Sequence, residues 1–222
     1  MSVQLLVFAK APVPGRVKTR LCPPASAAQA AAIAAAALAD TIDVLDVTPA
    51  VRRTLVLSGQ YPVPPGWRTV AQHGTGLAQR LVHAYTDTAL PGTATLLLGM
   101  DTPQLTTVLL GSAVEALDSG ADAVLGPAHD GGWWTLGLPD PAAAAALHDV
   151  PMSTPDTGRH TLTALRRRGL AVTLMGTLRD VDTVEDAYAV AEQCHGGRFA
   201  AAVRANLPAR DPAASRSGPG WG

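Results

Sequence analysis

The chain has 222 residues, 47% hydrophobic and 16% charged, with a formal net charge of −1. That length fills one substantial core and is long for two, and near-neutrality argues against general binding to nucleic acid or an anionic membrane. Cys22 and Cys194 form neither a disulfide framework nor a metal-ligand spacing, and no signal peptide precedes Val3, so a reduced, cytoplasmic protein is expected.

The run Val3-Gln-Leu-Leu-Val-Phe-Ala9 reads as a strand buried on both faces, suited to the centre of a parallel sheet. KAPVPGRVKTRL follows, where Pro12, Pro14 and Gly15 force a loop. Lys10, Arg16, Lys18 and Arg20 sit on that loop with no acid among them, and Lys10 and Lys18 are the only lysines among 17 basic residues. Four cations at the carboxyl end of a buried strand make a place for phosphate. Ser26 can cap a helix running to about residue 46, with Leu38, Ile42 and Leu45 at helical spacing. A second strand is expected at 53–58 and a short edge strand at 67–71. The turn 72–76 leads into a helix, 77–90, and then a buried strand, 93–100.

Asp101-Thr102-Pro103 ends that strand ahead of a helix expected at 104–118, and a further strand covers 122–126. Strands at 3–9, 95–99 and 121–126 are expected to be neighbours in the core. Asp130-Gly131-Gly132 separates the last of these from Trp133-Trp-Thr-Leu-Gly-Leu138, the pattern of a tight turn or hairpin. A short alanine helix after Pro141, a polar loop at 153–158, a helix at 159–168 and a strand at 170–175 come next. Residues 180–186 open a last helix to about 194. The whole reads as one α/β domain over 1–207, a three-layer sandwich on a mostly parallel sheet with one antiparallel hairpin, followed by a disordered tail at 208–222.

In such sheets ligands gather at the carboxyl ends of the strands, and each polar cluster falls there. Asp101 stands where strand meets helix and could equally serve as an ordinary cap. Asp180 and Asp182, two apart, point the same way in an extended segment, and converging carboxylates call for a cation such as Mg2+ or Mn2+ between them. A capping box built on Thr183 and Asp186 explains those two residues but neither aspartate. Gly131 and Gly132 either satisfy the turn or let backbone approach a ligand, with Trp133 and Trp134 as walls. His73 and His129 read as surface residues.

KAPVPGRVKTRL, LLLGMDTP, GPAHDGGWWTLGL and DVDTVED, in this order and spacing, resemble the small bacterial GT-A-fold family of arsenosugar-biosynthesis-type glycosyltransferases. More distantly the layout resembles the guanylyltransferases acting on phospholactate or phosphoenolpyruvate and on the molybdenum cofactor. The resemblance spans roughly residues 3–191 and implies a GT-A fold, a nucleotide ligand and a divalent metal. It further implies that the first loop, with Gly15 at its turn, holds donor phosphates through Lys10, Arg16, Lys18 and Arg20. Arg80, Gly131 and Gly132 join the nucleotide site, Lys18 and Asp101 are catalytic, and Asp101, Asp182 and Asp180 bind the metal. The chain departs from the family on the acceptor side: Trp133-Trp134 replace tyrosines, Met152 replaces a tryptophan, and Gly74 to Arg80 lacks the acidic residue of Gly-Asp-Leu-Gly-x-Arg. The expected partners are a nucleotide sugar and a small-molecule acceptor, for glycosyl transfer. The alternative is a nucleoside triphosphate and a phosphorylated small molecule, for nucleotidyl transfer with loss of pyrophosphate. A non-catalytic nucleotide-binding protein is a third reading, opposed by three aspartates placed for a metal.

Overall fold

In the computed structural model, which describes residues 2–194 and 196–210, seven strands form one sheet. They are β1 (Ser2–Lys10), β2 (Arg52–Ser58), β3 (Arg68–Ala71), β4 (Thr93–Gly99), β5 (Ala123–Pro127), β6 (Trp133–Leu138) and β7 (Val172–Leu174). Their order across the sheet is β3-β2-β1-β4-β6-β5-β7, and every pairing is parallel except the two that β6 makes with β4 and β5. The expected adjacency of the strands at 95–99 and 121–126 is therefore corrected. The turn after β5 sends β6 back between them, with Leu97 opposite Leu136 and Leu125 opposite the same residue from the other side. Gly126 makes that insertion possible, because a Cβ there would stand 2.3 Å from the Trp134 ring.

The central strands carry apolar residues on both faces, and the sheet is covered on both. On one side Leu5, Val7, Leu96 and Leu98 meet α1 (Ala27–Val47) and α3 (Thr107–Asp118) through Leu38, Ile42, Leu110 and Leu117. On the other, Leu6, Val56 and Leu97 meet α2 (Leu77–Thr88) and α4 (Thr157–Arg167) through Leu81, Tyr85 and Leu165. The result is the three-layer α/β sandwich expected. Ser26 and Gln29 complete a capping box at the start of α1. A 3-10 helix, Pro141–Asp149, stands where the alanine helix was expected.

A third core cluster brings Leu21, Ile33, Val181, Phe199 and Val203 together. It rests on α5 (Val184–Gln193) and on α6 (Arg198–Asn206), a helix not among the expected elements although Phe199, Val203 and Leu207 are at helical spacing. Asp40 of α1 holds the start of α6 by accepting the Arg198 and Phe199 backbone N–H groups. The helix expected from Gln104 begins instead at Thr107, capped by Thr106, because the Gln104 side chain donates to the Arg179 carbonyl in the neighbouring loop. Residues 208–210 lie against α5, where Tyr188 donates to the Pro208 carbonyl and Arg210 pairs with Glu192. The rest of the expected disordered tail lies outside the described residues. Among the described residues no helix is long and apolar enough to cross a membrane.

Candidate active-site cleft

Three loops meet at the carboxyl ends of the central strands. β1 and β4 are parallel neighbours, so the loops that leave them, 11–20 and 100–106, emerge side by side. The Lys10 N–H donates to the Met100 sulfur and the Val181 N–H to the Asp101 carbonyl, which brings in the loop before α5. Val181 is wholly buried, so Asp180 and Asp182 flank an anchored residue and both face the cleft.

Lys18 is the centre of this junction. Among the described residues it is one of two non-glycine residues with a left-handed backbone, at φ 48°, a conformation that costs about 1–2 kcal/mol for an ordinary side chain. That turn carries its ammonium inward, 2.7 Å from Asp101 Oδ1, where it also donates to the Val181 carbonyl. The Lys18 side chain is only 8% exposed. Arg20, on the surface, pairs with Asp182. Lys10 and Arg16 are exposed and have no carboxylate partner among the described residues.

Two cavities open here and share Arg20, Asp101 and Asp182. The smaller, of about 250 Å³, is lined by Lys10, Arg16 and Lys18 besides the shared residues. The larger, of about 610 Å³, lies over the ends of β1 and β4 and the start of β6, and adds Asp130 and Asp180 to the shared carboxylates. Charge thus separates along one cleft: four cations against two carboxylates in the small lobe, four carboxylates against Arg20 in the large one. Burial, then repulsion from Asp130, pushes the Asp180 carboxyl from its ordinary 3.8 up to about 6, and Asp101 adds to the rise while Lys18 opposes it.

The remaining expected residues are placed as follows. Gly15 has φ +76° at the tip of the first loop, with open space around it, and lines neither lobe. Arg80 also lies outside both linings; its Nε donates to the Gly74 carbonyl and closes the turn before α2. Gly132 lines the large lobe. Gly131 makes its close approach to the chain itself, since a Cβ there would stand 1.8 Å from the Pro155 carbonyl oxygen. Trp134 borders the large lobe but is 2% exposed with its N–H donated to the Gly176 carbonyl, so its ring belongs to the core. Trp133 is half-buried, donates to Thr161 Oγ1, and does face the lobe. His73 is exposed, as expected, stacked on His83 and paired with Asp87. The capping box of Thr183 and Asp186 is present.

Asp130 was missed as a site residue because its neighbours explain it as a turn, and its Oδ1 does accept the Gly132 N–H. Ser153, at φ 58°, and Leu77 also line the large lobe, and neither carries a pattern that marks it. The carboxylates are hard oxygen donors of the kind a divalent magnesium or manganese takes. The Asp180 carboxyl is raised by burial first and then by Asp130 and Asp101, with Lys18 opposing, so the donor set and its remaining negative charge fit a cation. Among the described residues, though, no three such ligands are already gathered around one point, because Lys18 and Arg20 occupy Asp101 and Asp182.

A mostly parallel sheet with one reversed strand is shared with solved structures of nucleotide-diphospho-sugar transferase and nucleotidyltransferase type, and the chain is of this class of nucleotide-dependent transferase. Within that class the chain belongs to the family described as "uncharacterized protein conserved in bacteria" (DUF2064), whose model matches residues 29–154. A candidate nucleotide-diphospho-sugar transferase from Desulfovibrio desulfuricans G20 is similar, at 27% identity and a TM-score of 0.83, over 92% of this chain and 95% of that one. Rv0371c from Mycobacterium tuberculosis H37Rv, solved as a complex with manganese, shares the fold at 15% identity and a TM-score of 0.56, over 86% of this chain and 98% of its own. A 4-diphosphocytidyl-2C-methyl-D-erythritol synthase shares it at 14% identity and 0.57, over 86% and 98%. No curated protein matches the chain in sequence.

Proposed function

We propose that the protein is a metal-dependent glycosyltransferase that moves a sugar from a nucleoside-diphosphate donor to a small-molecule acceptor. The observation that carries this reading is the separation of charge along the cleft. A diphosphate is held by the small lobe, where Lys10 and Arg16 have no carboxylate partner among the described residues and Lys18 and Arg20 need only exchange one anion for another. The sugar, rich in hydroxyl donors, lies against the acceptor oxygens of Asp130 and Asp180. A phosphorylated acid in the large lobe would meet four carboxylates and one guanidinium, which a single divalent ion does not reverse.

Asp101, Asp180 and Asp182 would hold Mg2+ or Mn2+, which supplies countercharge to the departing diphosphate. The ammonium of Lys18 sits where the two lobes join, so its charge falls near the same oxygens, and its buried setting strengthens that effect. The likeness to the Desulfovibrio desulfuricans G20 protein supports the same substrate class.

Nucleotidyl transfer is the second reading, favoured by the number of cations in the first loop, enough for a triphosphate. The two are separated by products. With Mg2+ or Mn2+, a glycosyltransferase releases nucleoside diphosphate from a nucleotide sugar, even slowly without an acceptor. Pyrophosphate released from a triphosphate together with a phosphorylated acid, while nucleotide sugars stay intact, would overturn glycosyl transfer.

A further inference from the structure

The large lobe has a second wall, opposite in character to its carboxylates. Phe8 at the end of β1, Leu77 and Leu81 at the start of α2, Leu97 of β4 and Met152 all line it. Leu81 and Leu97 are buried at 4% and 1% exposure, but Leu77 is 40% exposed. A leucine left open to solvent inside a cavity marks apolar surface with nothing of the chain upon it. Trp133 continues the wall, and its one polar atom is already used by Thr161. Ligand cavities of this kind bury most of their occupant on apolar side chains and orient it through a few polar groups.

Resting on the glycosyl-transfer reading, we propose that this wall binds the acceptor, an uncharged molecule that carries a hydroxyl on an apolar ring or alkyl body. The two walls select it together. A fully hydroxylated sugar would leave its donors unsatisfied along Phe8, Leu77 and Met152, and an anion would be repelled by Asp101, Asp130, Asp180 and Asp182. An amphiphile satisfies both, with its body on the apolar side and its hydroxyl towards the carboxylates. That places the hydroxyl beside the junction of the lobes, where the donor sugar meets its diphosphate. In the transfer, the acceptor oxygen bonds to the anomeric carbon as the carbon–oxygen bond to the diphosphate breaks, and the hydroxyl proton passes to solvent.

The test uses 2-naphthol as probe and the full chain, with dissociation constants read by equilibrium dialysis. Wild type should bind 2-naphthol. Leu77→Ser and Met152→Gln, both at positions open enough to accept a polar side chain, should each weaken binding by about fivefold to tenfold. Their thermal shifts with magnesium and a nucleoside diphosphate should be unchanged. Val108→Ser, at a valine 79% exposed on α3 and outside both cavities, should leave naphthol affinity unaltered. The proposal is overturned if wild type does not bind the probe, if neither wall variant weakens it, or if Val108→Ser weakens it equally. Competition between 2-naphthol and free nucleosides would also overturn it, by giving the wall to the base. Failure of the glycosyl-transfer reading looks different: no nucleotide sugar is cleaved, while naphthol binding keeps its dependence on Leu77 and Met152.

Discussion

At the scale of single residues, the aspartates of the cleft are not equivalent. Asp101 neutralises a lysine that is 8% exposed, so Asp101→Asn leaves an ammonium buried without its counter-ion. We expect Asp101→Asn to lose about 2 kcal/mol in urea denaturation, below the cost of a fully buried pair because Asp101 itself is 42% exposed. Asp180 behaves in the opposite sense. Its folded-state carboxyl titrates near 6 and its unfolded one near 3.8, so between these values the native chain holds the extra proton. Stability then falls as pH rises through that window, and the penalty is complete above about pH 6. Asp180→Asn should raise Tm by about 2–4 °C near pH 7.5 in the presence of a chelator, with solvent screening allowed for, and by far less near pH 4. An equal gain at both pH values would mean that the carboxylate charge is not the cause. Charge relief, which the sequence suggests for Asp101 and Asp182, is expected instead at Asp180, because tertiary contacts give Asp101 and Asp182 cations of their own.

At the scale of elements, the cleft depends on how loops are clamped to helices. The turn 128–132 docks on the start of α4, where the Gly158 N–H donates to the Gly131 carbonyl at 2.7 Å. Gly131 is at φ +87° and has no room for a Cβ against Pro155, so Gly131→Ala combines backbone strain with a clash. The expected cost is about 3 kcal/mol or more, with faster amide exchange at the first turn of α4. Gly15→Ala shares the positive φ but meets open space, so about 1 kcal/mol is expected there. Exchange rates at α4 unchanged by Gly131→Ala would show that the turn and the helix are not coupled. The first loop is clamped differently: Leu21 is buried with Val181 and Phe199, so one apolar cluster holds both the cationic loop and the 180–182 segment.

At the scale of the whole molecule, the cleft is closed by its own charges, Lys18 on Asp101 and Arg20 on Asp182. On the proposed reading, a phosphate and a divalent ion would displace the same pairs, each freeing groups that the other needs. Magnesium should tighten nucleoside-diphosphate binding by at least about tenfold, and the nucleotide should tighten magnesium equally, as reciprocity requires. Calorimetric titrations in both orders measure this, and independence of the two affinities would refute it. Much of the architecture was legible in the chain: buried strands from apolar runs, α1 from its Ser26 cap and apolar spacing, α5 from its capping box, the cationic loop from four basic residues without an acid. These are local properties, set by side-chain type and backbone propensity over a few residues. The sequence could not show β6 lying between β4 and β5, since strand order depends on which edges pair, nor that the apolar face of α6 docks on α1 and α5, a long-range contact. It could not show that Lys18 reaches Asp101 or that Arg20 reaches Asp182, contacts closed by loops from different strands. The basic lobe came from neighbouring residues and was readable; the acidic and apolar residues of the large lobe came from six separate segments, and only packing the sheet brought them to one cavity.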